Sequence, residues 1–173
     1  MRYIMPKSTT TARRFPVDNC FYNALAVHGP AADVATFKKQ AVGYDPEMTT
    51  KERRKVKPCA LNFHSLVPIP DRLLKAGDPT GQHWEDWEAK HWGVAGGALF
   101  EHKAAGVLCI VEEGKPNVLW YSFDTFGRPP IKFLKQVSKK WPTLLFLLHY
   151  QEEGAIRIGI AKVKAGKAKH YQL

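Results

Sequence analysis

The side chains able to transfer a proton or ligate a metal are scattered thinly along this sequence. His64, His83, His91 and His149 stand far apart, and Asp124 lies close to Ser122 and Thr125 and four positions before Arg128. A general acid or base must reach the group it serves, and a nucleophile needs a base beside it. No spacing here sets out a triad, a carboxylate pair or a nucleophile with its base, so no catalytic residue is assigned. Asp124, at the exit of a predicted strand and near Arg128, is the position where an enzymatic site would be sought. An ion pair with Arg128, or a cap at the Pro129 turn, is the preferred expectation for it.

His83 and His91 invite a metal reading with Glu88 or Asp86, because imidazole and carboxylate groups on adjacent helical turns bind zinc. They are eight positions apart, however, which is more than two turns, and no HExxH pattern or third spaced ligand accompanies them. No metal site is expected. The glycines of GVAGGALF, residues 93–100, follow a helix rather than open one and lack both GxGxxG and a Walker lysine, so they read as a turn. No cofactor is implied. Cys20, Cys59 and Cys109 are odd in number, widely spaced and set in apolar runs, which argues for buried thiols over a disulfide framework.

Charge is the stronger signal. The chain carries 26 Lys and Arg against 16 Asp and Glu, unevenly spread: residues 1–73 sum to +6, residues 74–125 to −4 and residues 126–173 to +8. Basic flanks around an acidic middle favour an anionic partner, either nucleic acid or an acidic protein surface. The densest run is Arg53, Arg54, Lys55 and Lys57, expected on a loop or frayed helix over 44–57; it reads first as a solvated surface and is also the best phosphate-contact candidate. A second set, Lys132, Lys135 and Lys139, repeats at helical spacing on the face opposite Leu134, Val137 and Trp141. Trp84, Trp87 and Trp92 crowd one short segment. Trp84 and Trp87 share a helix side with His91, where packing is the first expectation and a stacking platform the second.

These residues need a scaffold, and hydrophobic periodicity supplies one. Residues 1–17, with Arg2, Lys7, Arg13 and Arg14, read as a flexible basic arm, more simply a solubilising tail than a nucleic-acid arm. A strand over 20–27 and a helix after Pro30, with Val34, Phe37 and Ala41 on its inner side, open a single domain over 18–163. A second strand is expected over 60–70, then a helical turn at 71–75, a helix over 82–92 and a hairpin pairing 99–101 with 107–111; the insertion spans about 76–117. Next come a strand over 119–125, the Pro129-Pro130 turn, a helix to Trp141 and a buried strand TLLFLLHY. A half-exposed strand over 155–163 is expected at or near an edge, and a mobile basic tail over 164–173. Trp120 and Tyr121 fall on opposite faces of their strand, and either could stack on a base. The order predicts an α+β ferredoxin-like sandwich: a split βαβ repeat whose antiparallel sheet carries helices on one face, with an inserted helix and hairpin.

The stretches NCFYNALAVHGP, NFHSLVPIPDRL, WEDWEAKHWG and YSFDTFGRPPIKFL followed by KKWPTLLFLLHYQEEG, together spanning about 19–154, resemble the YubB ferredoxin-like family of plasmid- and bacteriophage-encoded proteins of unknown function. The chain departs from that pattern at Val94, Ala95 and Gly96 and at Phe126, Gly127 and Arg128. The resemblance implies a mobile-element, viral origin and carries over no catalytic residue. No run of 18 apolar residues and no secretory leader are visible, so a protein of the bacterial host cytoplasm with no membrane partner is expected. The expected function is non-enzymatic: an accessory protein that binds nucleic acid, DNA or RNA. The alternative is an inhibitor or adaptor of a host protein, as in counter-defence, and an enzyme with a site near Asp124 ranks last.

Overall fold

The computed structural model describes residues 20–46, 48–55, 57–74, 82–94 and 115–173. Its sheet is built from β1 (Cys20–His28), β2 (Val118–Phe126), β3 (Leu145–Glu152), β4 (Ile158–Lys164) and β5 (Lys167–Gln172), in the order β2-β1-β3-β4-β5. All neighbouring pairs are antiparallel. The helices are α1 (Ala31–Ala41), α2 (Thr50–Arg53), α3 (Phe63–Leu66), α4 (Asp71–Leu74), α5 (Gln82–His91) and α6 (Ile131–Lys140). The fold is α+β. Since β2 and β3 both run antiparallel to β1 and α6 joins them, β2, α6 and β3 form a βαβ unit split by β1.

Period-2 alternation sends one half of each strand to the core. Phe21, Leu25 and Val27 of β1, Leu119, Tyr121 and Phe123 of β2, Phe146, Leu148 and Tyr150 of β3, and Ala161 and Val163 of β4 are all buried on the same face. Helices close over that face. Phe37 of α1 meets Tyr121 and Phe146 edge-on at 6.4 and 5.5 Å between ring centroids. Phe63 of α3 stacks on Phe133 of α6 at 3.6 Å and meets Phe123 at 5.9 Å. Such contacts add to the area term that dominates core stability.

The expected strand over 60–70 is instead the short helix α3 followed by extended chain. Asn62 overrides the apolar pattern: its Oδ1 accepts the Ser65 N–H at 2.8 Å, an N-cap, while its Nδ2 donates to the Tyr44 carbonyl at 3.2 Å. His64 Nδ1 accepts the Ile69 N–H at 3.1 Å and so holds the return of the chain. The basic tail expected to be mobile is strand β5. The turn Ala165-Gly166 has positive φ at both residues, 47° and 79°, as a two-residue I′ hairpin requires, and the Gly166 N–H donates to Ser138 Oγ of α6 at 2.9 Å. The strand expected at or near an edge, β4, lies one strand in from it, between β3 and the edge strand β5. The arm over 1–17, the hairpin pairing 99–101 with 107–111, and Cys109 lie outside the described residues.

Candidate functional site

The same alternation leaves the other half of each strand without a helical cover among the described residues, and the register sorts those side chains into rows. One row crosses from Asp124 through Tyr22 and Gln151 to Ile158. The next runs Ser122, Ala24, His149, Ile160, Tyr171, and the one after it Trp120, Ala26, Leu147, Lys162, Lys169. At the interstrand spacing of about 4.8 Å, each five-residue row spans roughly 19 Å. Three aromatic rings stand on this face, with Tyr22 49%, Trp120 44% and Tyr171 62% exposed. Trp120 is propped by His28, edge-on at 6.3 Å.

Lysine sits opposite lysine on β4 and β5. Lys162 pairs with Lys169 and Lys164 with Lys167, all four exposed. Like charges directly opposite one another are destabilising, because their Cβ atoms lie only about 5 Å apart. The far corner has the other sign. Asp124 and Glu153 both push the Tyr22 hydroxyl and the Cys20 thiol above their ordinary values, Glu153 acting first on Tyr22, while burial is the leading cause for Cys20. The face thus runs from an acidic corner to a basic one. At the acidic end lies an open depression of about 530 Å³ lined by Tyr22, Ala24, Ser122, Asp124, His149 and Gln151, among others.

Hydrogen bonds behind the sheet fix the strand end that carries Asp124. Asn23, which interrupts the apolar face of β1, is buried and donates through Nδ2 to Thr125 Oγ1 at 3.0 Å; Thr125 Oγ1 donates to the Arg128 carbonyl at 2.9 Å. On the other edge, the Tyr150 hydroxyl and His170 Nε2 share a 2.6 Å hydrogen bond that ties β5 to β3 across β4. Gly159 makes room for it: a Cβ there would meet the Tyr150 hydroxyl and come within 2.7 Å of the Tyr171 carbonyl oxygen. Buried Glu152 accepts two bonds from Arg157, at 2.5 and 2.7 Å, and keeps the guanidinium against the Phe21 ring.

The residues singled out from sequence divide between the two sides of the sheet. Trp120 and Asp124 are on the open face, and exposed Arg128 follows β2 in the turn. Lys132, Lys135 and Lys139 are exposed on α6, in the helical layer on the opposite side; the stem of Lys132 lies on Gly93 and that of Lys139 on Gly166. Arg53, Arg54, Lys55 and Lys57 are exposed around α2, whose capping box joins Thr49 and Glu52, and Arg53 sits over the Tyr44 ring at 5.6 Å. Trp84 and Trp92 are core residues, so the stacking platform sought there is absent from them. Trp92 is buried with its Nε1 donating to the Val67 carbonyl at 3.0 Å, and Trp84 is buried among the same apolar cluster. Trp87 is half-buried and covered on one face by His91 at 4.2 Å. Tyr121 is buried, which leaves Trp120 as the stacking candidate of that pair.

Sequence reasoning missed the lysine ladder, Tyr22 and Tyr171. A signal was present: Lys162, Lys164, Lys167 and Lys169 alternate with small apolar residues on either side of an Ala-Gly dipeptide. Among the described residues no three His, Cys, Asp or Glu side chains converge as a metal would need, and no helix is long and apolar enough to cross a membrane.

No family model matches the chain, and no curated protein does. The crystal structure of a protein api92 from Yersinia pseudotuberculosis, with the family model DUF1281, is similar to it at a TM-score of 0.46 and 13% identity, over 89% of this chain and 98% of that one.

Proposed function

We propose that the open sheet face binds single-stranded nucleic acid without catalysing a reaction. The observation that carries the reading is the doubled lysine pair on β4 and β5, of which Lys162 and Lys169 share a row with exposed Trp120. Four lysines held against their own repulsion fit a partner that brings phosphates, and exposed aromatic rings on the same surface fit unpaired bases, whose faces stack regardless of sequence. A duplex presents no such faces. The β2-α6-β3 unit split by β1 supports the ferredoxin-like reading of the fold, and the resemblance to the YubB family extends the proposal to an accessory protein of a bacteriophage or plasmid, acting in the bacterial cytoplasm.

This reading moves the phosphate contacts away from Arg53, Arg54, Lys55 and Lys57 and from Lys132, Lys135 and Lys139, which face the other side of the molecule. Anisotropy of a labelled single-stranded oligonucleotide tests it. Trp120→Ala is expected to weaken binding roughly tenfold or more, the scale of one lost base stack. Lys162→Ala with Lys169→Ala is expected to weaken it further than neutralising all four of residues 53, 54, 55 and 57. The opposite ranking would relocate the site to the helical layer. No binding to either DNA or RNA, together with a nuclease-resistant protein partner, would favour the adaptor reading instead.

A further inference from the structure

Strand β5 closes the sheet on one side, and among the described residues no strand pairs with its outer edge. The hairpin determines which backbone groups that edge offers. The pair flanking a two-residue turn is hydrogen-bonded, and so is every second pair after it: Lys164 with Lys167, Lys162 with Lys169, and Ile160 with Tyr171. The Leu173 N–H continues the series by donating to the Ile158 carbonyl at 2.8 Å. The N–H and C=O groups of Ala168, His170 and Gln172 therefore point outward. They make a template for one more strand.

That template is held in place before any partner arrives. The Gly166 N–H anchors the turn on Ser138, the Tyr150 hydroxyl holds His170 at 2.6 Å, and Leu173 is tied to Ile158 at the other end. An edge already ordered loses little conformational freedom when a segment adds to it.

Charge selects the segment. β4 and β5 contain no acidic residue, and Lys167 and Lys169 stand on the edge with Lys164 and Lys162 directly behind them. Lysine on an edge strand ordinarily deters pairing, a role that needs no second rank. Doubling it one strand inward makes a field that repels a basic strand and attracts an acidic one. A second copy of this chain would bring its own Lys167 and Lys169 to the seam, and the same repulsion disfavours it.

We infer that the outer edge of β5 takes up an extended acidic segment of another protein, antiparallel like every other pair in the sheet. Acids opposite Lys169 and Lys167 fall at non-hydrogen-bonded positions, where facing side chains are closest, and an apolar residue falls opposite Tyr171. Along the segment the pattern is apolar-x-acid-x-acid, each x exchanging backbone bonds with β5. The site is the strand edge, so the inference does not rest on the reading of the open face.

The test titrates the full chain, by anisotropy, with an end-blocked labelled peptide containing Thr-Ile-Thr-Glu-Thr-Glu and with its counterpart Thr-Ile-Thr-Lys-Thr-Lys. The Glu peptide is expected to bind roughly tenfold or more tightly than the Lys peptide. N-methylation of its two inner threonines, whose N–H groups meet β5, is expected to weaken it roughly tenfold, whereas N-methylation of the glutamates, whose N–H groups face away, is expected to change it less than about twofold. Lys167→Glu with Lys169→Glu is expected to reverse the preference between the two peptides. Equal effects of the two methylation patterns, or no binding of the Glu peptide, would overturn the inference. A dimer of the free chain that the peptide dissociates would make a second copy the occupant and would overturn it too. Oligonucleotide binding without peptide binding would overturn this inference and leave the strand reading standing; peptide binding without oligonucleotide binding would do the reverse.

Discussion

The two faces of the sheet are made by the same strands and the same alternation, yet they are held to different requirements. On the covered face Phe63, Phe133, Phe123 and Trp92 form one aromatic cluster, with Phe63 stacked on Phe133 and edge-on to the other two. On the open face lysine is set against lysine and three aromatic rings point outward. The first arrangement lowers the energy of the isolated chain; the second raises it. We place the proposed partner on the surface that costs stability in isolation, whereas the covered face is accounted for by the fold itself.

Mutations can break this contrast in order of size. Phe63→Ala removes the ring on which Phe133, Phe123 and Trp92 converge and is expected to cost about 3–5 kcal/mol, read from the urea midpoint, whereas Trp120→Ala is expected to shift it by less than about 0.5 kcal/mol. Equal costs would erase the distinction between the faces. Next comes Arg157→Ala. The guanidinium is 42% exposed but its partner Glu152 only 1%, so the loss falls on a buried carboxylate, at about 1–3 kcal/mol after allowing for screening on the arginine side. Arg157→Lys, which cannot reproduce the two-pronged contact, is expected to recover only part of it.

Lys162→Ala on the open face should go the other way. Removing one member of a like-charged cross-strand pair is expected to raise stability by roughly 0.2–1 kcal/mol in low salt, and the gain should shrink as salt is added. A loss of stability would mean that the lysine stems pack and that the ladder is structural. The smallest effect is a pH response belonging to the covered side. Burial is the main influence holding His64 below its ordinary value of 6.5, with Arg53 acting in the same direction and Asp45 and Asp71 against it. As pH falls below 6.5 the unfolded chain takes up the proton first, so the stability tied to neutral His64 is full above that value and is lost as the pH drops toward the folded one. His64→Gln is expected to flatten the fall in thermal midpoint on acidification below pH 6.5; an unchanged slope would show that other groups carry it.

Where the sequence was legible, a single element carried its own signal. Val34, Phe37 and Ala41 marked α1, Leu119, Tyr121 and Phe123 marked the inner side of β2, and all six are buried. Helical α3 was hidden because a short apolar run reads alike as strand or helix, and the deciding residue, Asn62, acts through a cap rather than through periodicity. The lysine ladder was hidden for another reason. Its repulsion exists only when β4 and β5 are paired in register, and pairing is a relation between elements. The packing expected first for the tryptophans holds for Trp84 and Trp92, and Trp92 packs on Val67 and Phe63 from a segment expected to be a strand. Charge run by run pointed to α2 and α6, because those lysines and arginines cluster along the chain; the ones that cluster in space face the other way.

The salt dependence of binding addresses the open face most directly. With a single-stranded oligonucleotide, log K against log salt has a slope of about −0.7 for each phosphate neutralised. Replacing Lys162, Lys164, Lys167 and Lys169 with alanine is expected to make that slope shallower by up to roughly 3, while neutralising Lys132, Lys135 and Lys139 leaves it nearly unchanged. A slope indifferent to the four sheet lysines, or one set by the α6 lysines, would contradict the assignment of the partner to the uncovered face.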